Sequence, residues 1–308
     1  MIITKTPLKI SFIGSYTDHP DWYLKNGCVV IGASINKYVY VIARINKFVE
    51  SSHCRITNYV IEYLKSKKIN CDNVVLHHFS DMPCNFDFGY NTSLVIGILK
   101  AVYSIKNIYK TNHELSIECN EIFKTNNLFC LYADSFLCSY GGFNAIKFDK
   151  DDSVLRIPLN TYEEVVSSLK NNLSVYYLQN SNEETLFDFD EIKKVIESKK
   201  DKELWITKKM SEDCMDFFMS GRYKDIIMNI EKAFSIKESC FYKTNKHYSS
   251  DFSSKCIFSK VSAFDISSHN GYGCGIVYSI GGVKNLKLLE CFNKVDVEFE
   301  FQGSHIIL

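Results

Sequence analysis

SDMPCNFDFGYNTSLVIGILKAVYSIK, residues 80–106, changes character at its midpoint. The first half is rich in turn formers: Asp81, Pro83, Asn85, Asp87, Gly89 and Asn91. The second half is an apolar run through Leu94, Val95, Ile96, Ile98, Leu99, Ala101, Val102 and Ile105. A run apolar nearly all round predicts a buried helix. It falls short of the ~20 apolar residues that a membrane span takes. A loop running into such a helix presents free backbone N–H groups and the positive end of the helix dipole, which together suit a phosphate. Asn91, Thr92 and Ser93 stand where helix caps are expected. An ordinary capped core helix has the same signature, so the stretch alone leaves the ligand open.

Outward from this helix, residues 2–13 alternate as a strand and 14–23 read as a loop. Residues 28–35 and 38–45 read as two strands joined by a tight Asn36–Lys37 turn, followed by a strand over 74–79. Thr111 and Glu114 form a capping-box pattern ahead of a helix. Residues 133–140 predict a short helix stopped by Gly141 and Gly142. A hairpin follows, 142–148 with 154–158. Composition shifts after Pro158, which divides the chain into expected domains 1–158 and 159–308. In the second, helical patterns (161–171, 188–200, 211–219, 222–238) mix with strands (173–179, 257–266, 274–280, 295–301). Without a regular β-α-β alternation the class is α+β.

At 308 residues the chain exceeds the ~250–300 at which a single core stops growing, in keeping with two domains. Lys plus Arg and Asp plus Glu are equal at 36 each, so net charge gives no reason to expect nucleic acid or an anionic membrane as partner. The 12 cysteines include no C-x-x-C pair, and several, such as Cys28 and Cys274, lie in apolar runs. That suits buried thiols in a reducing, cytoplasmic setting better than disulfides or zinc. The opening residues MIITKTPLKISFIG alternate and carry Lys5 and Lys9, unlike a signal peptide.

TPLKISFIGSYTDHPDWYLKNGCVVIGASINKYVYV (6–41) resembles the N-terminus of the GHMP kinase superfamily, and most of all its D-glycero-D-manno-heptose 7-phosphate kinase branch. The loop at 81–93, LYADSFLCSYGGFNAIKF (131–148), GRYKDIIMNIEKAFSIK (221–237) and FEFQGSHII (299–307) resemble later family segments, in the family's order. The resemblance implies a two-domain GHMP kinase fold: an N-terminal domain like domain 2 of ribosomal protein S5, then a ferredoxin-like C-terminal domain.

The resemblance also assigns roles. Asp134 matches the catalytic carboxylate, and Lys9 stands where the family has Arg, keeping the charge without the planar fork. As alternatives, Asp134 suits a helix N-terminus and Lys9 a solvated strand face. Thr17 and Asp18 match a Thr-Asp pair at the sugar hydroxyls, and Gly141 and Gly142 fall at a substrate-side Gly-Gly. Of the family's phosphate loop, Gly89 and the Thr92 hydroxyl remain, with Asn91 and Ser93 beside them. Asp87 and Tyr90 replace a Gly and a small residue. Gly273, between Gly271 and Gly275, matches a third glycine motif and reads as a close-approach loop or a glycine-rich strand. For Mg²⁺ the ligands implied are Thr92 and Glu121, although direct spacing puts Ile122 at the family's Glu.

The implied function is an ATP-dependent kinase acting on a sugar or sugar phosphate, at the anomeric hydroxyl of a heptose 7-phosphate or similar. The runner-up is a fold-retaining homologue that binds sugar phosphate and has lost efficient ATP use. ATP, Mg²⁺ and a small sugar are the implied ligands, and a homodimer is among the assemblies allowed.

Overall fold

Strand β1 (Ile2–Ile13) forms the seam between two layers of helices. The computed structural model describes residues 1–46, 54–82, 88–128, 130–179, 201–241, 263–269, 272–278 and 292–308. From Leu8 onward β1 is buried on both faces, and strand alternation divides its side chains between them. Lys9 and Ser11 face one layer. Phe12 faces the other, 5.9 Å from Phe143, which in turn lies 6.4 Å from Phe218.

The antiparallel partner of β1 is β2, which runs unbroken from Cys28 to Ile45. The expected Asn36–Lys37 hairpin is therefore absent. Pairing jumps from Pro7↔Tyr38 to Leu8↔Ile35, so these two residues bulge out of an otherwise continuous strand. Their backbone has other partners: Asn36 N–H donates to Glu298 O at 2.9 Å, and Asn36 Oδ1 accepts from Glu298 N–H at 2.8 Å. Because β2 is so long, β4 (Phe143–Phe148) pairs with its first part and β3 (Val74–Ser80) with its last. β5 (Val154–Pro158) extends the sheet beyond β4, and β10 (His305–Ile306) adds to β1 from the other end of the chain.

Helix α3 (Tyr90–Ile105) is buried on nearly all sides, as its apolar run predicts. It lies close on the sheet at Gly97, where an added Cβ would stand 3.0 Å from Val41 and where Thr4 Oγ1 donates to the Gly97 carbonyl. Its cap is Gly89, at φ 77°, rather than Asn91, Thr92 or Ser93, which fall inside the first turn. The left-handed φ at that position favours glycine. Helix α4 (Asn112–Thr125) begins with the expected capping box of Thr111 and Glu114, and α5 (Tyr132–Tyr140) packs beside it. The region read as a loop after β1 contains a short helix, α1 (Pro20–Asn26), capped by His19 with Pro20 leading. Helix α2 (Arg55–Ser66) is a further element that the chain pattern did not announce.

Beyond β5 come α6 (Glu163–Asn172) and a second sheet of β6 (Leu173–Gln179), β7 (Ala263–His269), β8 (Tyr272–Tyr278) and β9 (Asn293–Val295), in the order β7-β8-β6-β9. The long helices α7 (Asp201–Ser220) and α8 (Tyr223–Phe241) pack against each other and reach back to β1 and β2. The helix expected over 188–200 and the strand residues 257–262 lie outside the described residues. One apolar cluster runs from Leu8 through α3 to Ile230 and Ile276, so the halves share a core. The closing segment also departs from a simple division at 158. Phe299 bridges to Ile35, and β10 completes the first sheet. The strand expected over 295–301 is thus reduced to β9 and that single bridge.

Candidate active site

The first turn of α5 brings Asp134 to the sheet face that carries Lys9. The two side chains form a buried ion pair, Nζ to Oδ1 at 2.8 Å, and Lys9 Nζ also donates to Ser11 Oγ at 3.2 Å. Lys9 is therefore no solvated strand lysine. The approach to α3 lies on top of it: Lys9 N–H donates to Phe88 O at 3.0 Å, and a Cβ on Gly89 would sit 3.3 Å from the lysine stem and 3.1 Å from Cys138 Sγ. Phe88 itself takes φ 57°, a strained value for a bulky residue. Sheet, α3 terminus and α5 terminus thus meet at one point, with the carboxylate and the ammonium inside.

Asp18 joins them from the loop after β1. It is 0% exposed, and its Oδ2 accepts from Ala133 N–H at 2.9 Å. Burial first, and the nearby Asp134 charge second, push its carboxyl up to about 7. Thr17 is equally buried, and its hydroxyl donates to Gly14 O at 2.6 Å. Three buried thiols surround the α3 terminus. Cys138 faces Gly89, Cys130 lies 3.7 Å from the Thr92 hydroxyl, and Cys119 donates to Thr92 O. Desolvation raises all three, Cys138 to about 12, so they form a soft, uncharged wall.

No protein-family model matches the chain. The D-glycero-alpha-D-manno-heptose 7-phosphate kinase of Campylobacter jejuni is 24% identical over 203 residues, a match covering 57% of this chain and 59% of that protein. The chain thus spans about three fifths of the curated relative's length. A D-glycero-D-manno-heptose 1-phosphate kinase from Bacteroides thetaiotaomicron superposes with a TM-score of 0.75 at 16% identity, over 100% of this chain and 99% of its own. The chain has the GHMP kinase fold. Lactococcus lactis galactokinase, solved with galactose, shares it with a TM-score of 0.71 at 14% identity, over 99% of this chain and 94% of its own.

Within the GHMP kinase fold, the expected site residues separate into two groups. Lys9, Asp18, Asp134, Gly89 and Thr92 converge. Thr17 lies on the same loop as Asp18. Asn91 is half-buried in the first turn of α3, whereas the Ser93 hydroxyl donates to Pro7 O at 2.8 Å and ties α3 to the sheet. Gly141 and Gly142 take φ values of 72° and 70°, and their neighbours are the closing segment. Gly142 N–H donates to Glu300 O, and a Cβ on Gly141 would stand 2.4 Å from Gly303 N. Both glycines stand at a backbone crossing with the closing segment. Gly273 lies in β8 opposite Leu178 and Ser268, a paired strand position and not a loop. Gly271 and Asp87 lie outside the described residues.

The expected Mg²⁺ pair is not brought together. Glu121 Oε2 accepts from Tyr63 Oη at 2.6 Å and lies 3.5 Å from Lys67 Nζ, on the flank of α4 that meets α2. Cys119 is the α4 residue at Thr92, and two helical positions turn Glu121 about 200° from it. Ile122 is in the core, and Glu118 is engaged by Tyr103 and Lys110. Among the described residues no group of three His, Cys, Asp or Glu side chains could hold a metal. The donor set therefore does not fit a Thr92–Glu121 magnesium site. Asn112, Ser116 and Asn120 are α4 side chains that reach α5, and Asn120 does so at its first turn, donating from Nδ2 to Tyr132 O at 3.1 Å. Nothing in the helical pattern marked it, since a buried Asn there reads as one more polar position. Among the described residues no helix is long and apolar enough to cross a membrane.

Proposed function

We propose that the protein is an ATP-dependent kinase of small sugars, acting on a sugar phosphate, with the anomeric hydroxyl of a heptose 7-phosphate or similar as acceptor. The observation that carries this is the buried Lys9–Asp134 pair set beneath the Phe88–Gly89 approach to α3. Phosphoryl transfer asks mainly for positioning and charge stabilisation, and this site supplies a carboxylate, a cation and a helix N-terminus around one point. Asp134 takes the hydroxyl proton as the sugar oxygen attacks the γ-phosphorus. The bond from that phosphorus to the bridging oxygen breaks, and ADP leaves with the electron pair. Lys9 keeps Asp134 ionised for this task, and the amides opening α3 face the phosphates. The named activities of the heptose phosphate kinases support the acceptor class. The division into domains at 158/159 belongs to the same reading, with residues 299–308 returning to the first.

The test is ATP-dependent phosphate transfer by the whole protein to a panel of sugars and sugar phosphates, heptose 7-phosphate included. Turnover with a sugar phosphate supports the reading. ATP binding without transfer to any acceptor would favour the sugar-phosphate-binding alternative, for which the turned-away Glu121 is the motivating observation.

A further inference from the structure

The peptide group between Tyr132 and Ala133 is gripped on both sides. Asp18 Oδ2 accepts its N–H at 2.9 Å, and Asn120 Nδ2 donates to its carbonyl at 3.1 Å. Asp134 is the next residue. Helix α5 needs this help, because its N-cap is Leu131, whose side chain offers no acceptor for the free amides of the first turn. The missing cap comes from a residue 115 positions earlier in the chain. Both grips come from buried side chains on separate elements, the loop after β1 and helix α4.

We propose that Asp18 and Asn120 are positioning residues: together they clamp the Tyr132–Ala133 peptide and thereby aim Asp134 at Lys9. This rests on the kinase reading of the site. Asp18 is wholly buried in the loop after β1. Asp18 Oδ1 and Asn120 Oδ1 are buried without a hydrogen-bond partner among the described residues. Each side chain therefore engages through one polar atom, Asp18 through Oδ2 and Asn120 through Nδ2, and leaves the other, an oxygen, unsatisfied, an arrangement that a purely structural core rarely keeps. The groups around the Asp18 carboxyl are Asp134 on α5, Lys9 on β1, Cys28 on β2, and Cys130 and Tyr132 at the entry to α5. An asparagine at 18 keeps the accepting oxygen and removes the ionisation, which makes it the discriminating substitution.

The clamp is tested first without turnover, by amide exchange at Ala133 in the full chain. Asp18→Ala should speed that exchange about tenfold or more, the loss of one charge-assisted bond, and Asp18→Asn should restore protection. The kinetic arm follows. Asp18→Ala and Asn120→Ala should each lower kcat about 100-fold, as for a misplaced reacting group, with the acceptor KM within about threefold of wild type. Asp18→Asn should recover at least tenfold of that loss. Unchanged Ala133 protection in Asp18→Ala overturns the clamp. So does a raised acceptor KM at unchanged kcat in both Asp18 variants, which would make Asp18 a sugar ligand. If Asp18→Ala does not fold, Asn120→Ala and Asp18→Asn carry the same comparison. A wild type without turnover on any acceptor sinks the kinase reading, and the exchange result still decides the clamp.

Discussion

Lys9 Nζ stands 2.8 Å from Asp134 Oδ1, and fewer than a tenth of the atoms' worth of surface on either side chain, 8% and 9%, meets solvent. Truncating one partner leaves the other charge buried beside low-dielectric walls, which typically costs about 3–5 kcal/mol. Lys9→Met is expected to lower unfolding free energy by about 3 kcal/mol in urea titrations, and Lys9→Met combined with Asp134→Leu to regain most of it. A single mutant as stable as wild type would mean that water reaches the pair.

Asp134→Asn keeps the size of the side chain and removes its basicity. Turnover should fall about 10²–10⁴-fold, the usual contribution of a positioned base, with sugar binding retained in a separate titration. Equal rates for the two proteins would take Asp134 out of the chemistry.

Gly141 and Gly142 have nearly the same left-handed φ but different neighbours, so their alanine variants should differ. A Cβ on Gly141 meets backbone at 2.4 Å, whereas one on Gly142 meets only the Phe301 ring edge at 3.6 Å. Gly142→Ala is expected to cost about 1–2 kcal/mol, from conformation alone. Gly141→Ala adds overpacking of about 1–3 kcal/mol. Melting temperatures of the two variants measured side by side check the order, and a Gly142 variant that is the weaker of the two would refute it.

The carboxyl of Asp18 is raised from 3.8 in an exposed reference to about 7. Between those values the folded state holds a proton that the unfolded state has released. The associated stability is complete below about pH 4 and is lost as pH rises through 7. The shift corresponds to roughly 4 kcal/mol at most. Urea midpoints for wild type should therefore fall between about pH 4 and 7, and Asp18→Asn should flatten that slope. An unchanged slope in the variant would assign the pH dependence to another group.

Much of the fold could be read from local pattern. The all-round apolar run of α3, the capping box of α4 and the Gly-Gly stop of α5 each state their structure within a few residues. The Asn36–Lys37 bulge could not be read that way. Two polar residues between apolar runs look like a hairpin turn, and only the partner at Glu298, 262 positions away, makes a straight path satisfactory. The site shows the same divide. Lys9 and Asp134 are singled out by the resemblance to the kinase family, and the structure brings the two together as a buried pair. The direction of Glu121 is not legible in the sequence, because Tyr63 on α2 and Lys67 just past the end of that helix hold it. The roles of Asp18 and Asn120 depend on a peptide group, and main-chain groups leave no trace in residue identity.

The return of residues 298–306 to β1, β2 and the Gly141 turn has a kinetic side. The first sheet reaches its final hydrogen bonding only after a loop of nearly the whole chain has closed, for example in the pairing of Thr4 with Ile306. Closing a flexible loop of that length costs roughly 5 kcal/mol of chain entropy before any contact is made, and such high contact order slows folding. A fragment ending at Pro158 is thus expected to populate a loosened state with the Asn36 amide open to water, and a peptide of residues 296–308 added in trans should protect that amide. The two halves of this protein consequently mature together, and a nascent first half waits in a partly formed, aggregation-exposed condition until the far end of the sequence arrives.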